Sequence, residues 1–335
     1  MKVIIPMAGM GTRMRPHTLT VPKPLIPVAG KPIIHHLVAE IAKVAKEEIE
    51  EVAFVVGHFG EAVEKELISI AAEFGATGKI YYQEKPLGTA HAVLCAEQSL
   101  SQKVIVAFAD TLFDADFVIN KNADAVIWVK EVENPSAFGV VKVNSQNQIT
   151  DFVEKPKQFV SNLAIIGIYY FTDGENLKNE LQYLIDNNIS VKGEYQLTDA
   201  LENMKNKGLA FVPGKVNEWL DCGNKDATVF TNRRLLEINS KKYQFCAANC
   251  ENIVNSVVIN PVYVGKNAVI KNSIVGPHVS IGDNAIIENS IIENSIIQNN
   301  TKIESSNFTN SMIGNFVSLK GKTAEFSIGD FTQIQ

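Results

Sequence analysis

The 335-residue sequence is poor in cysteine and tryptophan, and it has no long hydrophobic run and no excess of positive charge. Its four cysteines, Cys95, Cys222, Cys246 and Cys250, are irregularly spaced. That excludes a disulfide scaffold and points to a reducing, cytoplasmic setting. Cys246 and Cys250 form a C-x3-C pair with no second pair or nearby histidine, so zinc has no support. The longest apolar stretch lies near Leu163–Phe171. It falls far short of the ~20 residues that span a bilayer, so no membrane partner is expected. Val3–Met7 has neither a basic leader nor a small-residue cleavage site, and it reads as a buried strand, not a signal peptide. Lys plus Arg is 31 against 37 Asp plus Glu, a formal net charge of -6. This excludes general binding of nucleic acid but leaves room for a local basic phosphate pocket. The chain is 46% hydrophobic and 20% charged, which excludes wholesale disorder. At about 150 residues per domain, the length allows two domains.

Two textures follow one another. Up to residue 235, apolar β-branched runs alternate with helix-like stretches. Strands are expected at Lys2–Met7, Val52–Gly57, Lys79–Gln83, Val104–Ala109, Ala125–Val129, Gly139–Val143 and Ile165–Phe171. Helices are expected at Pro32–Lys46, Gly60–Phe74, Ala90–Leu100, Leu177–Asn187 and Thr198–Lys207. This alternation predicts an α/β fold, a mostly parallel sheet with helices on both faces. Residues 236–251 read as a linker. From 252 to 335, apolar residues recur at Val264, Ile270, Val275, Ile281, Ile287, Ile292, Ile297, Ile303, Phe308, Ile313 and Leu319, always five or six apart. That period fits neither a helix nor an alternating strand. It fits a short, left-handed hexapeptide-repeat parallel β-helix, with Gly, Asn and Ser at the corners.

After the first strand comes Ala8-Gly9-Met10-Gly11-Thr12-Arg13-Met14-Arg15-Pro16. A glycine loop leaving a buried parallel strand sits at the sheet's carboxyl edge, where open α/β folds bind ligands. Glycines let backbone N–H groups approach a phosphate, and an arginine adds fixed charge. A dinucleotide-binding loop would carry glycine at position 14 and an acidic end to the second strand. Met14 and Gly57-His58 stand there instead. The Gly321-Lys322-Thr323 triplet has Phe316 where a phosphate loop needs its first glycine, and it reads as a repeat corner.

The longer string is more specific. Gly9-x-Gly11-Thr12-Arg13-Met14-Arg15-Pro16, then Pro22-Lys23-Pro24-Leu25 and Gly30-Lys31-Pro32, resembles the opening signature of the sugar-1-phosphate nucleotidyltransferases. The resemblance runs through most of the first 225 residues. It implies a Rossmann-like catalytic domain over 1–235 that joins a nucleoside triphosphate to a sugar 1-phosphate and releases pyrophosphate. Arg13 and Lys23 match the family's triphosphate-holding cations. Ala8, Gly9, Gly11 and Thr12 match its nucleotide loop. Gln83-Glu84-Lys85-Pro86-Leu87-Gly88-Thr89 resembles its base-reading segment. An amide donates and accepts at once, so Gln83 suits the imide edge of uracil or thymine, with Gly88 letting the ring lie against backbone. Ala109-Asp110 and Trp219-Leu220-Asp221-Cys222-Gly223 resemble its two metal-binding aspartate motifs, which implies Mg²⁺ on Asp110 and Asp221. Cys222 stands where relatives often have threonine or valine and is expected to be a buried filler. Gly139 and Glu154-Lys155 resemble the sugar site: Gly139 leaves room for a hexose, Glu154 accepts hydroxyl hydrogen bonds, and Lys155 pairs with the sugar phosphate. Gly167 lies in the strand that closes this pocket. Glu194–Asp199 matches a further segment, with Thr198 or Asp199 expected to start a helix. The loop opens Pro6-Met7-Ala8-Gly9 where many relatives have Leu-Ala-Gly-Gly, so Met7 and Met10 are expected to add bulk near the nucleotide.

The match is nearest the thymidylyl- and uridylyltransferases acting on glucose 1-phosphate. Three alternatives stay open: a guanylyltransferase on mannose 1-phosphate, a bifunctional uridylyltransferase and acetyltransferase on amino-sugar phosphates, and a non-catalytic regulatory homologue. Against the acetyltransferase, the repeat arm holds one histidine, His278, expected at a corner or on the surface. Against the non-catalytic reading, Arg13, Lys23, Asp110, Lys155 and Asp221 are all present. A homo-oligomer is expected, with the arm mediating assembly or regulation.

Overall fold

The structure is a computed structural model, and it describes residues 1–115, 123–241, 251–321 and 323–334. Most of the expected linker at 236–251, and with it Cys246 and Cys250, lies outside the described residues. The first strands are β1 (Lys2–Pro6), β2 (Pro27–Val28) and β3 (Lys31–Pro32), followed by α1 (Ile33–Ala45), β4 (Glu51–Val56), α2 (Glu61–Glu73), β5 (Thr77–Tyr82) and α3 (Thr89–Leu94). Then come β6 (Val104–Ala107), β7 (Thr111–Asp114), β8 (Ala125–Glu131), β9 (Gly139–Val143), β10 (Ile149–Glu154) and β11 (Leu163–Phe171). The last elements before the repeats are α4 (Gly174–Asp186), α5 (Leu197–Asn206), β12 (Phe211–Lys215), β13 (Glu218–Asp221) and α6 (Lys225–Ile238).

The chain forms two compact units that do not follow chain order. The first is Met1–Gly9 with His35–Trp219, and the second is Met10–Ile34 with Leu220–Gln335. The first unit holds a mixed sheet of order β10-β9-β11-β6-β1-β4-β5, with β8 pairing β11 and β12. β1 pairs in parallel with β4 on one side and β6 on the other. β4 is apolar throughout after Glu51, Val52-Ala-Phe-Val-Val56, and every residue of it is buried, as expected of a strand covered on both faces. The expected parallel sheet holds for β1, β4, β5 and β6, while β11 enters antiparallel to β6, β8 and β9. Two of the helices, α4 and α6, start at a side-chain cap. The Asp173 carboxylate accepts from Glu175 N–H (3.0 Å) and Asn176 N–H (3.1 Å) to open α4.

The second unit holds the repeats, which form three parallel sheets whose partner residues lie 15 to 17 apart in sequence. Ile270, Ile287, Ile303 and Leu319 stack in one sheet, Val275, Ile292 and Phe308 in the second, and Ile281, Ile297 and Ile313 in the third. All are buried in one apolar core. Short polar side chains repeat with the coils. Ser290 N–H donates to Ser273 Oγ (3.0 Å) and Ser306 N–H to Ser290 Oγ (3.1 Å). Asn267, Asn284 and Asn300 link coil to coil through their amides at 3.2 Å, each with a positive φ that asparagine tolerates. No helix among the described residues is long and apolar enough to cross a membrane.

Candidate active site

In the first unit, β1, β4, β5 and β6 run parallel, so their carboxyl ends share one edge. The chain leaves β1 to one side for β4 and later returns to its other side for β6. That reversal makes the crevice beyond β1 the expected ligand position. Ala8 and Gly9 follow β1, Gln83 follows β5, and Asp110 follows β6. Gln83 N–H donates to Val56 O (2.9 Å), continuing the ladder. Its side-chain Nε2 donates to Gly88 O (3.2 Å) and meets His91 Nδ1 (3.1 Å). A carbonyl only accepts, so Gly88 fixes which end of the amide faces it and turns Oε1 the other way. Burial lowers the His91 pKa, and because Gln83 Nε2 can only donate, His91 Nδ1 is the acceptor in this contact.

Gly88 has a φ of +102°, and a Cβ there would overlap the Tyr195 backbone. Tyr195 N–H donates to Leu87 O (2.8 Å), Ala90 N–H to Tyr195 O (2.9 Å), and Leu197 N–H to Thr89 Oγ1 (2.9 Å). The Thr89 hydroxyl is therefore engaged within the protein.

The same 194–199 segment reaches the expected sugar residues. The Thr198 hydroxyl donates to Glu154 Oε2 (3.4 Å), and Lys155 Nζ pairs with Glu154 Oε1 (3.2 Å). A Cβ on Gly139 would stand 2.9 Å from Glu154 Oε2 and 3.4 Å from Thr198 Cγ2, so Gly139, Glu154, Lys155 and Thr198 form one cluster. Lys155 has a φ of +40°, and its N–H donates to Phe138 O (3.1 Å). This left-handed turn directly after β10 puts carboxylate and ammonium side by side. Burial, reinforced by the Glu154 charge, raises the Asp199 carboxyl pKa. Thr198 and Asp199 do not cap α5. They sit inside its first turn, after Gln196, and face this cluster. Beyond a helix start the sequence assigns this segment no part in the site, and the signal for one is the number of polar side chains packed into six residues. Phe138 meets Trp219 edge-to-face at 4.9 Å, joining two of the segments picked out by resemblance. Gly167 lies at the register shift of β11 with a φ of +86°, and Phe108 N–H donates to its carbonyl (2.9 Å) two residues before Asp110. Of the two methionines expected near the nucleotide, Met7 is buried at the end of β1, where its N–H donates to Val55 O (2.8 Å), and Met10 is 67% exposed.

In the second unit, Gly11 has a φ of +57° and precedes a 3₁₀ turn at Thr12–Met14. Met14 is buried and receives the Thr228 hydroxyl on its sulfur (3.4 Å), whereas Thr12 and Arg13 stay exposed. The Thr18 hydroxyl donates to Gly11 O (2.8 Å), and a Cβ on Gly11 would stand 3.2 Å from Lys23 Cβ. Gly11 and Lys23 are thus brought together. Asp221 accepts from Gly223 N–H on Oδ1 (3.0 Å), and its carbonyl accepts from Thr231 (2.7 Å). A Cβ on Gly223 would lie 2.9 Å from Asp221 Oδ2, so glycine keeps that carboxylate clear. Cys222 is fully buried, as a filler should be. The expected residues are therefore divided. The base and sugar clusters and Asp110 belong to the first unit, and Gly11, Thr12, Arg13, Lys23 and Asp221 to the second. Asp110 and Asp221 each offer hard carboxylate oxygens of the kind Mg²⁺ takes. Among the described residues there is no cluster of three or more His, Cys, Asp or Glu to bind a metal unaided.

A family model described as nucleotidyl transferase matches residues 2–237, and one described as GlmU-like, C-terminal hexapeptide, matches 228–305. The chain is 33% identical over 264 residues to the bifunctional protein GlmU of Methanococcus maripaludis, covering 77% of this chain and 60% of that protein. It therefore spans about three-fifths of that relative's length. It is 31% identical over 278 residues to a glucose-1-phosphate thymidylyltransferase of Streptomyces antibioticus, covering 80% of this chain and 74% of that one. A solved UDP-glucose pyrophosphorylase complexed with UDP-glucose superposes with a TM-score of 0.56 at 25% identity, covering 71% of this chain and 99% of that one. The chain belongs to the nucleotidyl transferase family.

Proposed function

We propose that the chain transfers a nucleotidyl group from dTTP or UTP to a sugar 1-phosphate, glucose 1-phosphate foremost, giving the nucleoside diphosphate sugar and pyrophosphate. The observation that carries this reading is the 194–199 strap. It is bonded to the Leu87–Ala90 turn on one side and to Glu154 on the other, so a base-reading amide and a sugar-reading carboxylate are held by one short segment. The thymidylyltransferase and pyrophosphorylase relatives add their weight to it.

Each side chain then has a role. The Gln83 Oε1 accepts from the imide N–H of a pyrimidine, because its Nε2 already serves Gly88 and His91. Glu154, steadied by Thr198, accepts from sugar hydroxyls, and Lys155 exchanges its Glu154 partner for the sugar phosphate. Arg13 and Lys23 neutralise the triphosphate. Asp110 and Asp221 would hold Mg²⁺, which when bound supplies positive charge to phosphate oxygens. An oxygen of the sugar 1-phosphate attacks the α-phosphorus in line, the bond to the bridging oxygen of the β-phosphate breaks, and pyrophosphate leaves. The nucleophile is already anionic, so no general base is required, and rate comes from positioning and charge neutralisation. The test is pyrophosphate release from five triphosphates against several sugar 1-phosphates. Turnover confined to dTTP or UTP supports the reading, and preference for GTP with mannose 1-phosphate overturns it.

The GlmU likeness favours a second reading, with an amino-sugar phosphate as substrate and an acetyltransferase arm. Against that second activity, His278 sits at a corner with a φ of +63° and its Nε2 is paired to Glu237 at 3.0 Å. Turnover of acetyl-CoA with an amino-sugar phosphate would establish the second reading. We also propose a homo-oligomer. Val257, Ile274 and Ile291 are stacked on one another and exposed on one sheet of the arm, an apolar stripe suited to a second copy. Ile274→Lys should lower the mass measured by light scattering, and an unchanged mass would remove this stripe from assembly.

A further inference from the structure

The Met10–Ile34 segment has little regular structure of its own: three 3₁₀ turns, the two-residue β2·β3 ladder and the start of α1. Side-chain contacts within the second unit must therefore set its shape. One anchor lies at the first coils. Asn232, fully buried on α6, accepts from Ala29 N–H (2.8 Å) and from the Ser280 hydroxyl (2.7 Å), and its amide donates to His278 O (3.3 Å). Gly30 lies flush on the Tyr263 ring, with no room for a Cβ. The other anchor lies at the last coil. A Cβ on Gly329 would stand 2.9 Å from Pro16 Cβ. Buried His17 meets Ser327 Oγ through Nε2 (3.3 Å), and the Thr20 hydroxyl donates to Asp330 Oδ2.

Asp330 is itself fixed by the coil beneath. Its Oδ1 accepts from Asn315 N–H (2.6 Å) and from the Asn315 amide (3.4 Å). The hold reaches the phosphate loop through one residue: Thr18, between His17 and Leu19, donates to Gly11 O. Gly11 in turn abuts the stem of Lys23.

We propose that the last repeat coil is a positioning element for the triphosphate: Asp330, acting through Thr20, holds the Gly11–Lys23 loop in the conformation that presents Arg13 and Lys23. This rests on the reading of Arg13 and Lys23 as triphosphate contacts. Asp330 is a positioning residue, because it acts on the loop and not on the reacting atoms. A loop released from its anchor occupies the binding conformation for a smaller fraction of the time, and apparent affinity falls by that fraction. The effect is specific to the triphosphate, since the Glu154–Lys155 cluster belongs to the other unit.

The experiment uses the full chain as wild type, Asp330→Ala, Asp330→Asn, Thr20→Val and the Thr20→Val/Asp330→Ala double variant. KM for dTTP and UTP, KM for the sugar 1-phosphate, and kcat are measured in Mg²⁺. Trypsin cleavage of the Arg13–Met14 bond is followed in parallel. It is the reporter bond of this loop, because the bonds after Arg15 and Lys23 precede proline and resist trypsin. Asp330→Ala should raise the triphosphate KM about tenfold. Its kcat and sugar-phosphate KM should stay within about twofold, and cleavage after Arg13 should speed up severalfold. Asp330→Asn, which keeps its one oxygen on Asn315 N–H and turns its amide N–H toward the Thr20 hydroxyl as acceptor, should recover to within about threefold of wild type. The double variant should be no worse than either single one, as for partners in one contact. An unchanged triphosphate KM with unchanged cleavage would overturn the proposal. So would an equal loss of kcat and both KM values with a lowered unfolding temperature, the mark of a merely structural residue. Wild-type protein inert toward every triphosphate would sink the activity reading instead, and the tryptic rates would still decide whether Asp330 holds the loop.

Discussion

Gln83 has one end of its amide committed to Gly88 and His91, and this sharpens what it can recognise. The sequence reading treated the amide as donor and acceptor together. The fold leaves it the acceptor half, which on the proposed reading selects a base with an imide N–H. Gln83→Glu would set a carboxylate against the Gly88 carbonyl and lose both donors. Its kcat/KM with dTTP and UTP should fall by about 10–100-fold, while its relative use of GTP, with two adjacent N–H donors, rises; unchanged base preference would contradict this. That Gln83 and Asp110 follow strands was legible from the apolar runs before them, while the roles expected of them came from the family resemblance alone. His17 was not, since its partner Ser327 is 310 residues away. Burial holds the His17 pKa at about 4, with Asp330 opposing the shift and Lys225 reinforcing it. As pH falls below about 6.5, the unfolded chain takes the proton first, so stability is fully present above that value and drains away toward pH 4. The full effect is about 3 kcal/mol, and His91 and His278 shift in the same direction. Urea midpoints at pH 7 and 4.5 should show a shallower pH slope for His17→Gln than for wild type, and equal slopes would contradict the assignment.

At the scale of elements, the segment that matters most to the candidate site is the one with least regular structure. The Glu194–Asp199 strap is neither strand nor long helix, yet it joins the Gln83–Thr89 turn to Glu154. Gly88 makes this join possible, because only a residue without Cβ allows the Tyr195 backbone so close. Gly88→Ala, strained in both φ and space, should destabilise the protein by more than about 2 kcal/mol in urea unfolding. A loss below 0.5 kcal/mol would mean that the strap is not seated there. The apolar period made the coils legible, since nearly every inward position carries an aliphatic or aromatic side chain, Thr301 being an exception. It said little about β12, where Pro213 and Gly214 argue against a strand; β12 survives because it pairs with β8 alone. The short β2·β3 ladder and β10 were also passed over, being too brief or too polar to stand out from turns.

At the scale of the whole molecule, texture and contact divide the chain differently. The change in amino-acid pattern near residue 235 is real in sequence, and the aliphatic core of the repeats begins beyond it. Contacts nevertheless group the signature segment Met10–Ile34 with the repeats. No local pattern could reveal this, because its determinants are single side chains: Thr20 with Asp330, Ala29 with Asn232. The proposed residues are drawn from both units, Asp110 and the Glu154–Lys155 cluster from one, Arg13, Lys23 and Asp221 from the other. The most direct test is phosphorus NMR of wild type and Asp110→Asn incubated with dTTP or UTP, glucose 1-phosphate and Mg²⁺. Wild type should convert both substrates to a nucleoside diphosphate sugar and pyrophosphate, and Asp110→Asn should be slower by at least about two to three orders of magnitude with its unfolding temperature little changed. A folded Asp110→Asn protein that forms product at the wild-type rate, or a wild type that forms none, would contradict the account.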